Sequence, residues 1–197
     1  AYEQYTILWK KKSKNAYANY MRGTAAYTYA QHASHPKIGE FQRGGERYQG
    51  LISVAYSCLS EASLLGPDSG RIKAGYGLFL FNEKNKTDEG IENLKNAVEL
   101  APQDARVRSA LAEAYLHPYR PSYNPGGAER ELRKAIQLDS TYSYPYYLLL
   151  RLYTHQRRWK EADNALKGYI KLLPDENAQA AIKAWQPRIN RGLGKMQ

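Results

Sequence analysis

Apolar positions recur along this chain at spacings of three and four, and one apolar–polar pattern returns several times. The segments NLKNAVELAPQD (93–104), ELRKAIQLDSTY (131–142) and ALKGYIKLLPDE (165–176) align without gaps. A small residue stands four positions before the first shared leucine of each: Gly90 before Leu94, Ala128 before Leu132 and Ala162 before Leu166. Side chains at such spacings fall on one helix face, so each segment is predicted to be an amphipathic helix. Upstream, VAYSCLSEASLLGPDS carries Ala55, Leu59 and Ala62 in the same frame. Pro67, Pro102, Ser140 and Pro174 follow the four helices at separations of 35, 38 and 34 residues.

A second helix is predicted ahead of each. Ala74, Leu78 and Phe81 mark the first, Leu111, Ala112 and Tyr115 the next, and Tyr146, Leu149, Leu150 and Tyr153 the third. Tyr20, Gly23 and Tyr27 recur further back at the spacing i, i+3, i+7. A period of 34 to 38 residues built from two helices is the mark of a stacked repeat. Its packing logic is visible in the residues. The small positions let the second helix approach the first, Leu94, Leu132 and Leu166 fill the space between them, and proline stops the second helix because it cannot continue the hydrogen-bond ladder.

These positions resemble the tetratricopeptide repeat, with SYPYYLLLRLYTHQRRWKEADNALKGYIKLLPDE the best match. The resemblance covers residues 71–176 well and 16–70 loosely; Tyr169 stands where the family usually has a small residue, and the 71–104 repeat lacks the usual glycine after leucine. It implies an all-α fold, a right-handed superhelical array of antiparallel helix pairs. The expected organisation is a single domain over 1–197: a basic segment 1–15, a degenerate enlarged repeat 16–70, repeats 71–104, 105–142 and 143–176, and a capping helix with tail at 177–197. In the capping helix, Ala181, Ile182 and Trp185 are expected to pack inward and Pro187 to end or kink it.

One stretch interrupts the frame. Nine residues separate Phe81 from Gly90 and Tyr153 from Ala162, but thirteen separate Tyr115 from Ala128. The run LHPYRPSYNPGGA therefore holds a four-residue insertion at a turn between helices. Pro118 is expected to end the first helix, Pro121 and Pro125 to stiffen the loop, and Gly126-Gly127 to release the chain into the next helix.

Composition narrows the chemistry. No run of about 18 apolar residues is present, so no membrane-spanning helix is predicted. The lone Cys58 forbids an internal disulfide and removes thiolate zinc sites, and in its apolar setting it reads as a small core residue. His32 and His35 lie three apart with no carboxylate or thiol beside them, so no metal is assigned, and no motif calls for a cofactor. Nucleophile-elbow, phosphate-loop and zinc-hydrolase motifs are all absent, which argues against an enzyme. Ala1 in place of an initiator methionine predicts a processed or excised chain. That leaves an upstream signal or anchor, and the compartment, open, with a cytoplasmic setting preferred to an extracytoplasmic one.

What remains is surface. The net charge is +10, gathered at the ends: eight Lys/Arg against three acids in residues 1–50 and ten against four in 151–197. Tyrosine supplies 18 of the 24 aromatic residues and suits half-buried recognition seams. The resemblance implies a concave face lined by the first helix of each repeat, receiving a peptide or partner segment. Carried onto this chain, that face comprises Phe79 and Asn82, then Arg106, Glu113 and His117, then Tyr144, Tyr147, Arg151 and His155. Some family members clamp a terminal carboxylate, but the matching places here hold Gly75, Phe79, Ala110, Tyr144 and Leu148, so that clamp is missing. The expected partner is a protein or peptide, acidic to suit arginine beside tyrosine. The alternative is nucleic-acid or anionic-surface binding through Lys10, Lys11, Lys12, Lys14 and Arg22, interleaved with Trp9, Tyr17 and Tyr20. This is the weaker reading, since helical spacing already explains those tyrosines as packing. Membrane proximity would need the missing upstream anchor, and self-association through a Tyr-rich edge is a further option.

Overall fold

The computed structural model describes residues 13–33, 44–83 and 86–194. Among them are nine helices and no strand. They are α1 (Ala16–Ala33), α2 (Glu46–Leu65), α3 (Gly70–Glu83), α4 (Thr87–Leu100), α5 (Ala105–Tyr115), α6 (Pro125–Leu138), α7 (Tyr144–His155), α8 (Trp159–Ile170) and α9 (Asp175–Gly192). The chain divides into two compact units, residues 1–102 and 103–197.

Within the first unit, α1 packs on α2 and α3 on α4, with α3 also against α2 and α1. Its core gathers Ala26, Ala30, Leu51, Ile52, Ala55, Leu59 and Phe79. Cys58 is buried there, as expected of a small apolar residue. The close approach expected at Gly90 is present: a Cβ at this position would lie 2.8 Å from the Gly77 carbonyl oxygen and 2.9 Å from the Phe81 nitrogen. Two glycines thus bring the α3 and α4 backbones into contact, which no larger residue allows.

The second unit repeats the plan. Helix α5 packs on α6 and α7 on α8, α7 also meets α6 and α5, and α9 covers α8. Ala128, Leu132, Ala162 and Leu166 are fully buried, as the small and large places of the repeat require. Helices α2, α4 and α6 end two residues before Pro67, Pro102 and Ser140. Helix α8 ends sooner, at Ile170, and Pro174 is the N-cap of α9.

One local expectation is corrected and another is narrowed. Pro125 and the glycine pair do not belong to the inserted loop, because α6 begins at Pro125 and contains Gly126 and Gly127. Asn124 caps the helix, its Oδ1 accepting from the Gly127 N–H at 2.9 Å, and proline fits the first turn, where its missing N–H has no partner to lose. The loop is closed instead by the Asn124 N–H donating to the Tyr115 carbonyl at 2.9 Å. Of the two outcomes expected at Pro187, an end or a kink, the end does not occur, since the helix continues to Gly192 and buries Ile189 completely. Burial of Ile189 and the contact of Leu193 with the core offset the single hydrogen bond that the proline removes.

Candidate functional site

The first unit closes the surface that repeat position alone leaves open. Phe79 is 0% exposed, with the Tyr27 ring edge-on at 5.2 Å and the Tyr56 ring at 6.3 Å. It is a core residue and not a surface contact, which corrects its assignment to the concave face. Beside it, Glu83 accepts hydrogen bonds from the hydroxyls of Tyr48 at 2.7 Å and Tyr27 at 3.3 Å. Burial and then the Glu83 charge push the Tyr27 phenol well above its ordinary range, and Asn82 joins the same hydrogen-bonded group. The polar end of α3 is thus occupied by tyrosines of its own unit.

The second unit leaves the equivalent face accessible. Arg106 at the start of α5 lies over the Tyr142 ring at 5.0 Å. From there the rings succeed one another along α7: Tyr142 to Tyr144 at 6.2 Å, then Tyr144 stacked on Tyr147 at 6.1 Å. Tyr147 also meets Tyr169 at 5.6 Å and the edge of Trp185 at 6.4 Å. Tyr169, the departure from the family pattern, is thereby absorbed into the cluster. Arg151 sits over Tyr147 at 5.8 Å, so a cation marks each end of the aromatic row.

Glu113 lies within this row, hydrogen-bonded to Tyr144 and influenced by Arg151. Burial raises its pKa above the usual carboxylate range, although Tyr144 and Arg151 act in the opposite direction. The Tyr144 phenol is raised in turn, by burial first and then by the Glu113 charge. Burial, together with Arg120 and Arg151, lowers the pKa of the exposed His117.

Where the row reaches the end of α7, a cavity of about 250 Å³ opens. Leu116, Pro118 and Tyr123 wall it from α5 and the inserted turn, Leu152 from α7, and Trp185 from α9. Its polar lining is Arg151, Thr154, His155 and Arg188. The sequence-predicted residues Arg106, Glu113, Tyr144, Tyr147, Arg151 and His155 therefore share one face of this unit. Tyr142, Trp185 and Arg188 were not anticipated as members. Their signal was available: Tyr142 precedes Tyr144 by two places, and Trp185 and Arg188 lie three apart on the capping helix.

In the alternative basic patch, Lys14 is exposed and Arg22 half-buried, while Lys10, Lys11 and Lys12 lie outside the described residues. Tyr20 packs against Tyr17 at 6.1 Å. Among the described residues no cluster of His, Cys, Asp and Glu could hold a metal ion, and no helix is long and apolar enough to cross a membrane.

No family model matches the chain, and no curated protein matches it in sequence. Solved structures do resemble it in fold. A MamA protein is 19% identical with a TM-score of 0.57, over 88% of this chain and 83% of that one. Yeast Tom70 is 18% identical with a TM-score of 0.60, over 96% of this chain but 43% of its own length. PilF of Pseudomonas aeruginosa is 15% identical with a TM-score of 0.53, over 96% of this chain and 90% of that one. All three contain tetratricopeptide repeats, and the all-helical fold of paired helices is the one they share with this chain.

Proposed function

We propose that this chain is a non-enzymatic interaction scaffold that binds a segment of a partner protein on the face formed by α5, α7 and α9. The observation that carries this reading is the accessible row Arg106, Tyr142, Tyr144, Tyr147 and Arg151, ending at an open cavity. Tyrosine and arginine are the residues that anchor interfaces, because each combines a large contact area with directional polar groups. Proteins with this fold are typically interaction scaffolds, which agrees with the reading. Asn82 and the tyrosine-bound end of α3 support the first unit's own packing, and His117 and His155 border the binding face.

The test is capture of partner proteins by the full chain, compared with Arg106→Glu/Arg151→Glu and with Lys73→Glu/Lys95→Glu, a matched change of charge in the first unit. Charge reversal is preferable to removing Tyr147, whose three ring contacts make its loss a packing defect as well. Proteins retained by the wild type and by the Lys73/Lys95 variant but lost from the Arg106/Arg151 variant bear out the face. Equal retention by all three places recognition elsewhere.

A further inference from the structure

The cavity at the end of the aromatic row has a chemistry of its own. Thr154 is only 2% exposed, lines the cavity, and its Oγ1 has no hydrogen-bond partner. A buried hydroxyl without a partner is costly, about 1–3 kcal/mol, so a donor with no protein partner in a lined cavity is available to an acceptor atom that enters it. Arg151 and Arg188 line the same space, and among the described residues neither forms an ion pair. The second unit's other well-placed arginines are used internally: Arg108 pairs with Glu131, and Arg133 and Arg158 both pair with Glu129. Among the described residues no carboxylate lines the cavity, and Glu113, an acid that Arg151 acts on, is engaged by Tyr144. The apolar lining of the same cavity includes Leu116, Pro118, Leu152 and Trp185.

We infer that this cavity is a carboxylate-binding pocket, which takes an acidic side chain of the bound segment with an apolar neighbour packed against Trp185. Size supports one side chain and not a whole cofactor, since about 250 Å³ falls below the roughly 300–1,000 Å³ of small-molecule sites. Guanidinium groups present paired N–H donors that match the two oxygens of a carboxylate, and the Thr154 hydroxyl adds a third donor. The residues involved come from the inserted turn and the capping helix as well as from α7, so the pocket is a feature of this chain's departures from a regular repeat. The inference rests on the reading that the α5, α7 and α9 face receives a partner segment.

The experiment uses the full chain and follows the indole N–H resonance of Trp185, identified with Trp185→Phe, during titration with defined probes. These are 3-phenylpropionate and its amide, and the peptides acetyl-Phe-Glu-Phe-amide and acetyl-Phe-Gln-Phe-amide. The two acids are expected to shift the resonance saturably, and the two uncharged analogues to bind at least tenfold more weakly. Arg188→Gln and Arg151→Gln should each weaken the acids about tenfold and the amides less, and Thr154→Val should weaken the acids to a smaller extent. Equal binding of acids and amides would make the pocket merely apolar and overturn the inference. An absence of any shift would remove the site. Binding of phenylpropionate without the Glu peptide would assign the pocket to a free small acid and overturn the side-chain assignment. Because no partner is needed, failure here is distinct from failure of the binding face in the capture experiment.

Discussion

The same place in the repeat is occupied by Phe79 in the first unit and by Glu113 and Arg151 in the second, and Phe79 and Arg151 have opposite fates. Phe79 is sealed beneath Tyr27 and Tyr56, whereas Arg151 remains exposed above Tyr147. Four positions on, Glu83 is held by two tyrosine hydroxyls, while its counterpart His155 borders an open cavity. Repeat geometry fixes where a side chain leaves the helix. Whether it reaches solvent is decided by the neighbouring helices, and the enlarged repeat of α1 and α2 supplies aromatic rings that cover Phe79 on α3.

The sharpest way to break this comparison is to truncate the equivalent residues. Phe79→Ala should cost about 3–5 kcal/mol of stability, whereas Arg151→Ala should change it by less than about 0.5 kcal/mol, both read from denaturant unfolding. Similar costs at the two positions would erase the distinction.

A smaller effect concerns Glu129, which ties the second unit together. Its carboxylate accepts from Arg158 at 2.7 Å, Arg133 at 2.9 Å and Tyr153 at 2.9 Å. The Arg158 hydrogen bond, followed by those of Tyr153 and Arg133, holds its pKa at about 2 against an ordinary 4.5. In that interval the unfolded chain binds more protons than the native one, so stability falls as pH falls. The contribution is fully present above about pH 4.5 and lost toward pH 2. Glu129→Gln should lower stability at neutral pH by about 1–2 kcal/mol and flatten this acid limb, as followed by thermal unfolding across pH 2–6. An unchanged acid limb would show that the network carries no stability.

Two further substitutions should stabilise the second unit. Arg157, in the turn after α7, has φ of 59°, a left-handed conformation that costs a residue with a Cβ about 1–2 kcal/mol. Arg157→Gly should raise stability by about 1 kcal/mol in the same unfolding measurement. Thr154→Val removes the unpartnered hydroxyl at constant shape and should leave stability unchanged or higher by up to about 1 kcal/mol. A loss at position 154 would mean that the hydroxyl already has a structural role.

Much of the fold was legible because close packing leaves a periodic record. Gly90, Ala128 and Ala162 marked helix contacts, and Pro67 and Pro102 marked helix ends, through steric demands that act within one repeat. The exposure of Phe79 was not legible, since the rings that cover it belong to α1 and α2, where the repeat is degenerate. The roles of Pro125 and Gly127 turn on Asn124 acting as a cap, a signal present in the order Asn-Pro-Gly-Gly but read as a loop. The cavity was out of reach because it joins the inserted turn, α7 and α9, and no local pattern records which distant elements share a wall. Ile189 lay beyond a proline that was expected to end or kink the helix.

The most direct test of the difference between the two faces is thiol labelling of Phe79→Cys and Arg151→Cys in the folded full chain. Cys58, buried at 3% exposure in the first unit, serves as the internal reference. A cysteine at 151 should react with maleimide at close to the rate of a free thiol, and one at 79 no faster than Cys58, through opening of the unit. Rapid labelling at 79, or protection at 151 equal to that of Cys58, would contradict the account.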